Sequence, residues 1–169
     1  VYGDCVCDAR FSKCCGGMTE RFSAAWGNVD LPYLQAFPDC PAGEDPFRLP
    51  LTAEANARAF LRGSPRVWCN QADRALLERI LPELDHGTEN FFRWDVSLTA
   101  SAVRELIVDK LGLDLGPVQT IRPLGRGASG RIVSLEVAGR DRCLRVGKEL
   151  EIRRLLSPTH LYSSAFTVR

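Results

Sequence analysis

The apolar positions of this chain change period along its length, and each change marks a different element. From Thr52 the spacing is helical: Ala53, Ala57, Phe60 and Leu61 share a face, with Thr52 as the cap and Gly63 as the stop. A second stripe, Ala72, Leu76, Leu77, Ile80 and Leu81, follows the cap residue Asn70 and ends near Pro82. A third, Val103, Leu106, Ile107 and Leu111, is capped by Thr99 and closed by Gly112. Between the last two, residues 91–98 alternate, with Phe92, Trp94, Val96 and Leu98 on one side, which is the period of a strand. Beyond Gly112 the strand period dominates over 118–123, 130–138 and 143–146, with Val133, Leu135 and Val137 on a shared face and Ile132 apart from them. A short helix over 148–156 and a strand over 164–168 complete this part.

The first third is less regular. Residues 8–12 read as extended and run into the Cys14-Cys15-Gly16-Gly17 turn, followed by a short helix over 19–26. Pro38, Pro41, Pro46 and Pro50, with Gly43, make 38–50 a loop and the best position for a hinge between two subdomains. Strands that follow one another without intervening helices favour an antiparallel or mixed sheet. The expected class is therefore α+β, with three to four helices. The chain divides into a groove segment over 1–39, a helical insertion over 40–90 and a strand–helix–strand module over 91–169.

Composition narrows the function classes. A 169-residue chain with 45% hydrophobic and 25% charged residues can bury an ordinary core. Its 22 basic and 21 acidic residues nearly balance, which gives no reason to expect nucleic acid as a partner. No apolar run reaches the roughly 18 residues that span a bilayer. The start, Val1-Tyr2-Gly3-Asp4-Cys5, has no basic or apolar leader pattern and reads as a processed end. Seven cysteines are the unusual feature: Cys5, Cys7, Cys14 and Cys15 crowd the beginning, while Cys40, Cys69 and Cys143 are scattered. An odd count leaves at least one thiol unpaired within the chain.

Few motifs carry chemistry on their own. Gly125-Arg126-Gly127-Ala128-Ser129-Gly130 is formally G-x-G-x-x-G, but its last glycine opens a strand rather than a helix. It also resembles a kinase glycine-rich loop, yet no H-R-D or D-F-G follows in the 39 residues after Gly130. The reading left is a tight hairpin turn. His160 reads as a surface or capping residue, and Glu20 as a glutamate at a helix N-terminus.

Two separated stretches together resemble one family. Residues 11–20 (Phe11-Ser12-Lys13-Cys14-Cys15-Gly16-Gly17-Met18-Thr19-Glu20), then Trp26-Gly27 and Pro32-Tyr33-Leu34 before Asp39, are similar to the aromatic-x-S-x-x-G-G-x-T-E…W…P-Y-L…D signature of the bacterial SpoIID/LytB family. Ser129-Gly130-Arg131-Ile132-Val133-Ser134-Leu135-Glu136-Val137-Ala138-Gly139, then Arg153 and Ser163-Ser164-Ala165-Phe166, are similar to its S-G-R-V…L-x-I-x-G…R…L-x-S-x-x-F module. Residues 40–90 fit less well and look like an insertion.

The resemblance implies a protein of the bacterial cell envelope that acts on peptidoglycan. Active members are lytic transglycosylases that cut peptide-stripped glycan strands to 1,6-anhydro-muramyl products, one glutamate serving as acid and then as base. That glutamate is expected upstream of Val1, with Glu20 as the in-chain alternative, so this chain alone is expected to be inactive. Ser12, Gly16, Gly17, Thr19 and Glu20 are expected to face the sugar strand. No cofactor is required by this chemistry. Some relatives hold zinc near the turn, which makes Cys7, Cys14 and Cys15 the candidate ligands. Two alternatives stay open: a non-catalytic module that enhances a cell-wall amidase, and a metal- or redox-responsive module built on Cys5, Cys7, Cys14 and Cys15.

Overall fold

The computed structural model describes residues 1–80 and 91–169. The fold is α+β. Its elements run α1 (Phe22–Ala25), α2 (Glu54–Arg62), α3 (Arg74–Ile80), α4 (Ala100–Leu111), β1 (Val118–Arg126), β2 (Ile132–Gly139), β3 (Cys143–Val146) and α5 (Glu149–Leu155). Among the described residues there are five helices, of which α1 is a single turn. The sheet is antiparallel throughout, in the order β1-β2-β3. No helix among the described residues is long and apolar enough to cross a membrane.

The sheet explains its own sequence. Pro123 lies opposite Leu135 on β1, an edge strand, where a missing backbone N–H costs no ladder bond on the open side. The register slips between Gly125 and Arg126, where one step on β1 faces two on β2, from Ser134 to Ile132. That bulge shifts the inward parity, so Ile132 joins Leu135 and Val137 in the core while Val133 does not. The expectation that Ile132 stands apart from the other three is corrected here. On the opposite face Glu136 lies between its cross-strand neighbours Arg122 and Arg145 and accepts from both, at 2.7 and 3.1 Å. Arg145 and then Arg122 hold its carboxyl below the usual carboxylate range.

Helix α4 packs on β1 and α5 on β2. The main core gathers Val103 and Ile107 from α4, Leu115, the β2 residues, and Ile152, Leu155, Leu156 and Leu161. A second cluster forms around Met18, Leu51 and Phe60, with Ala128 of the β1–β2 hairpin reaching into it.

Helix ends follow local hydrogen bonding. Thr99 caps α4 as expected, its Oγ1 accepting from the Ala102 amide, and Gly112 ends it with a left-handed φ of 64°. Elsewhere the caps differ. The N-cap of α2 is Ala53, with no side-chain bond, so Thr52 lies one residue too early. For α3 the cap is Asp73, whose Oδ1 accepts from the Leu76 amide, while Asn70 donates to Ser64 and Pro65. The expected Leu81 and Pro82 of that helix, and His86, lie outside the described residues.

Two expected strands are absent. Residues 91–98 form a bent, irregular strap with no ladder partner, and Val96 and Leu98 are exposed. Residues 164–168 share one backbone hydrogen bond with the sheet, the Ile132 amide donating to the Ser164 carbonyl at 3.0 Å. Side chains hold both segments instead: Arg93 donates to the carbonyls of Gly63 and Phe60, and Arg126 to that of Phe166. Alternation of apolar residues cannot distinguish a laddered strand from a segment held by guanidinium-to-carbonyl bonds.

The link from α4 to β1 carries a testable ion pair. Arg104 grips Asp114 with two bonds of 2.7 and 2.5 Å, and the Gly116 amide adds a third at 2.9 Å. Arg104 first, then the Gly116 amide, pull Asp114 down to about 2. A carboxyl depressed in the folded state stabilises above its ordinary value and loses that contribution as pH falls through the lowered one. Thermal unfolding midpoints are expected to drop between pH 4 and pH 2, and the drop to be smaller in Asp114→Asn, as read by circular dichroism.

Candidate functional site

The Cys14–Gly17 turn is built by the segments around it. Thr19 donates its hydroxyl to the Gln35 carbonyl at 2.9 Å and accepts from the Phe37 amide at 2.9 Å, while the Asp39 amide donates to the Gly17 carbonyl at 3.0 Å. Gly17 has φ 103°, and a Cβ there would lie 3.2 Å from both Phe60 and Val67. Only glycine meets both conditions without strain. The 38–50 loop is therefore stitched to the turn at its first residues.

Three donor atoms converge beside this turn. Cys15 Sγ lies 3.5 Å from Cys69 Sγ and donates to Asp39 Oδ2 at 3.3 Å, and the Cys69 amide donates to the same oxygen at 3.1 Å. Asp39 also fixes the neighbouring backbone, since its carbonyl accepts from the Trp68 amide at 2.8 Å. Cys15, Asp39 and Cys69 each offer a ligand atom within 4.8 Å of the others. Two sulfurs and a carboxylate suit a zinc-like ion, whose ligand atoms stand about 3.8 Å apart around tetrahedral bonds of about 2.3 Å. The Cys15–Cys69 sulfur separation of 3.5 Å and the Cys15 Sγ to Asp39 Oδ2 separation of 3.3 Å lie within about half an ångström of that spacing, so the residues fit such an ion.

The thiols of this group differ in how they hold a proton. Cys14 is lowered to about 7, chiefly by a hydrogen bond with the Cys69 thiol, helped by the Gly16 amide and the Arg131 charge. Cys15 is lowered by the same Cys69 bond and the Gly17 amide, against burial and Asp39. Cys69 is driven up by its bonds with Cys14 and Cys15, so it keeps its proton and serves as their donor.

Glu20 has another role in the geometry. Its carboxylate accepts from the amides of Ala128 and Ser129, both at 3.1 Å, from Ser129 Oγ at 2.6 Å and from the Arg21 amide at 2.9 Å. The glycine-rich hairpin loop is thus an anion cradle, filled by a carboxylate of the same chain. A Cβ on Gly127 would stand 2.3 Å from Glu20 Oε2, which is why that position is open. From Ser129 the chain of bonds continues: Arg131 donates to Ser129 Oγ at 2.7 Å and to the Cys15 carbonyl at 2.9 Å. Glu54 plays a parallel part on α2, forking onto the buried Arg126 at 2.6 and 3.1 Å.

The turn opens on a groove of about 1170 Å³ whose walls include Cys14, Cys15, Gly16, Arg93, Arg131 and the strap. Its aromatic side carries Phe91, Trp94, Tyr162 and Phe166, with Trp94 edge-on to Tyr162 at 6.1 Å. Arg93 lies over the Phe92 ring at 3.8 Å, and burial pulls it below the ordinary arginine value.

Of the residues expected at a binding site, Gly16 lies on the groove wall with Cys14 and Cys15. Ser12 is exposed beside the turn, Gly17 is buried, and Thr19 and Glu20 spend their polar atoms inside the protein. Of the expected zinc ligands, Cys15 is in the three-donor group, whereas Cys14, whose thiol is lowered by its neighbour Cys69, and Cys7 are not among its members. The members unforeseen in the sequence are Cys69, read there as scattered, and Asp39, read only as part of the family signature. The available signal was Val67, buried against Gly17, which marks where the second segment docks.

An α+β scaffold with a cysteine-lined turn beside an aromatic groove is the class these features define. Residues 20–169 match the model of a family described as a domain of unknown function, DUF8618, and the chain belongs to that family. No curated protein and no solved structure matches the chain.

Two outcomes test this geometry. Glu20→Gln turns an amide NH2 toward the loop donors and is expected to destabilise by about 1.5–3 kcal/mol, measured by denaturant unfolding. In the metal-free protein, iodoacetamide labelling of Cys14 is expected to rise with pH, with a midpoint near 7, since the thiolate reacts and predominates above its pKa. Arg131→Gln should move that midpoint upward.

Proposed function

We propose that this chain is the glycan-binding part of a SpoIID/LytB-type protein of the bacterial cell envelope, holding peptide-stripped peptidoglycan strands for lytic transglycosylase cleavage. One observation carries the reading: Arg131, in the second of the two resembling stretches, donates to the carbonyl of Cys15 in the first, across 116 positions. Two stretches that resemble different parts of one family's signature thus meet at one wall of the groove. The groove has the composition a sugar strand needs, with aromatic faces beside backbone carbonyls and guanidinium groups.

The acid–base glutamate is expected ahead of Val1, and Glu20 acts as a tie. A carboxylate accepting from three backbone amides and a hydroxyl has little freedom to pass a proton to a glycosidic oxygen. Cys15, Asp39 and Cys69 hold a zinc ion that braces the turn, with Cys14 as the nearby further thiol. The ion is structural in this reading, and the carboxylate chemistry proceeds without it. A module that enhances a cell-wall amidase would use the same groove without cleavage.

Digestion of peptide-stripped glycan strands separates these cases, using this chain and a longer one extended at both ends, with products read by mass spectrometry. Anhydro-muramyl products from the longer chain alone are expected. Products from this chain alone would return the acid–base role to Glu20. Strand binding without products from either would favour the enhancer module, and absence of binding by both would end the glycan reading. Zinc at one equivalent in the reduced protein, lost in Cys69→Ser, is expected by elemental analysis.

A further inference from the structure

We propose that Cys15 and Cys69 form a redox-modifiable pair, which a low-molecular-weight disulfide converts into a Cys15–Cys69 disulfide. The two residues are 54 positions apart, yet their sulfurs stand 3.5 Å from each other. A disulfide bond is about 2.05 Å long, so closure needs an approach of roughly 1.5 Å. Both backbones are fixed where they meet. The Cys15 carbonyl accepts from Arg131, and the Cys69 amide donates to Asp39 Oδ2. Cys15 also lines the groove, which gives a small disulfide a route to it. Cys40 donates to the Glu44 carbonyl and Cys143 is exposed on β3, whereas Cys14, next to Cys15 in the chain, is the competing partner for Cys69.

The chemistry balances as two exchanges. The Cys15 sulfur attacks one sulfur of the disulfide RSSR, forming a mixed disulfide and releasing RSH, which takes up the Cys15 proton. The Cys69 sulfur then attacks the Cys15 side of the mixed disulfide and releases the second RSH, with the Cys69 proton. Two thiols of the protein are oxidised and one small disulfide is reduced to two thiols. The product takes both sulfurs from the three-donor group, leaving Asp39 as the remaining ligand. Metal retention and the disulfide are therefore mutually exclusive states of one site. That exclusion rests on the zinc reading above, whereas the cross-link itself does not.

The test uses the full chain, reduced, stripped of metal with a chelator and exposed to glutathione disulfide, followed by N-ethylmaleimide. Intact mass is expected to show five labelled cysteines in place of seven. Cys14 and Cys15 share one tryptic peptide, so fragment ions are read to assign the partner of Cys69 as Cys15. Cys14→Ser is expected to keep the cross-link, and Cys69→Ser to stop at a glutathione adduct on Cys15. A bond from Cys69 to Cys14, a Cys14–Cys15 bond, or stable adducts with no internal bond in the unmutated chain would each overturn the proposal. Zinc added beforehand is expected to slow the cross-link at least tenfold. A cross-link in a chain that binds no zinc would support the pair while ending the metal reading. Zinc binding with no cross-link on removing the ion would do the reverse.

Discussion

The Glu20 carboxylate, seated in the loop between β1 and β2, is the interaction on which the arrangement depends. Residues 1–39 hold one helical turn and isolated bridges, and the bonds among them, such as Thr19 to Gln35 and Phe37, shape the turn without fixing its place against the sheet. That place is set from the other end of the chain. The amides of Ala128 and Ser129 and the Ser129 hydroxyl have the carboxylate as their partner, and the carboxylate has them. Arg131 extends this contact to the Cys15 carbonyl, so a bond made 108 residues away in sequence settles where the thiols stand.

The thiol group is governed by a charge balance that no single residue sets. Asp39 pushes Cys14 and Cys15 toward the protonated form, while Arg131 favours the Cys14 thiolate. Cys69, donating toward both, resolves the competition by keeping its proton. A divalent cation would reverse the order of these effects, because its own charge would exceed every neighbouring one. The same atoms thus have distinct stable occupancies depending on what enters from the groove.

Much of the fold was legible because it is local. The cap and stop of α4 were read at Thr99 and Gly112, β3 was bounded at Cys143 and Val146, and the glycine-rich run was recognised as a hairpin turn rather than a nucleotide loop. What escaped was non-local. The bulge that turns Ile132 inward depends on pairing register, which periodicity alone does not reveal. The strap at 91–98 alternates like a strand, but it is held by its Arg93 side chain, which donates to the carbonyls of Gly63 and Phe60. At the site, Cys14 and Cys15 were visible as a pair, whereas Cys69 and Asp39 join them only after two loops fold together. The partner that occupies Glu20 could not be found without knowing that the hairpin tip faces it.

Arg93, Arg126 and Arg131 share a manner of acting. Each spreads its guanidinium over two or more carbonyl oxygens, and at least one of them is distant in the chain: Gly63 with Phe60, Gly130 with Phe166, Met18 with Cys15. Irregular backbone is thereby clamped at points, where a sheet would zip it along a line. Point clamps leave the stretches between them at liberty to lengthen, shorten or change composition over evolutionary time, provided the anchoring carbonyls return to the same three places. Lysine could keep the charge at those positions but not the planar fork that spans two acceptors. Drift in this fold should therefore run fast between the clamps and nearly stop at them.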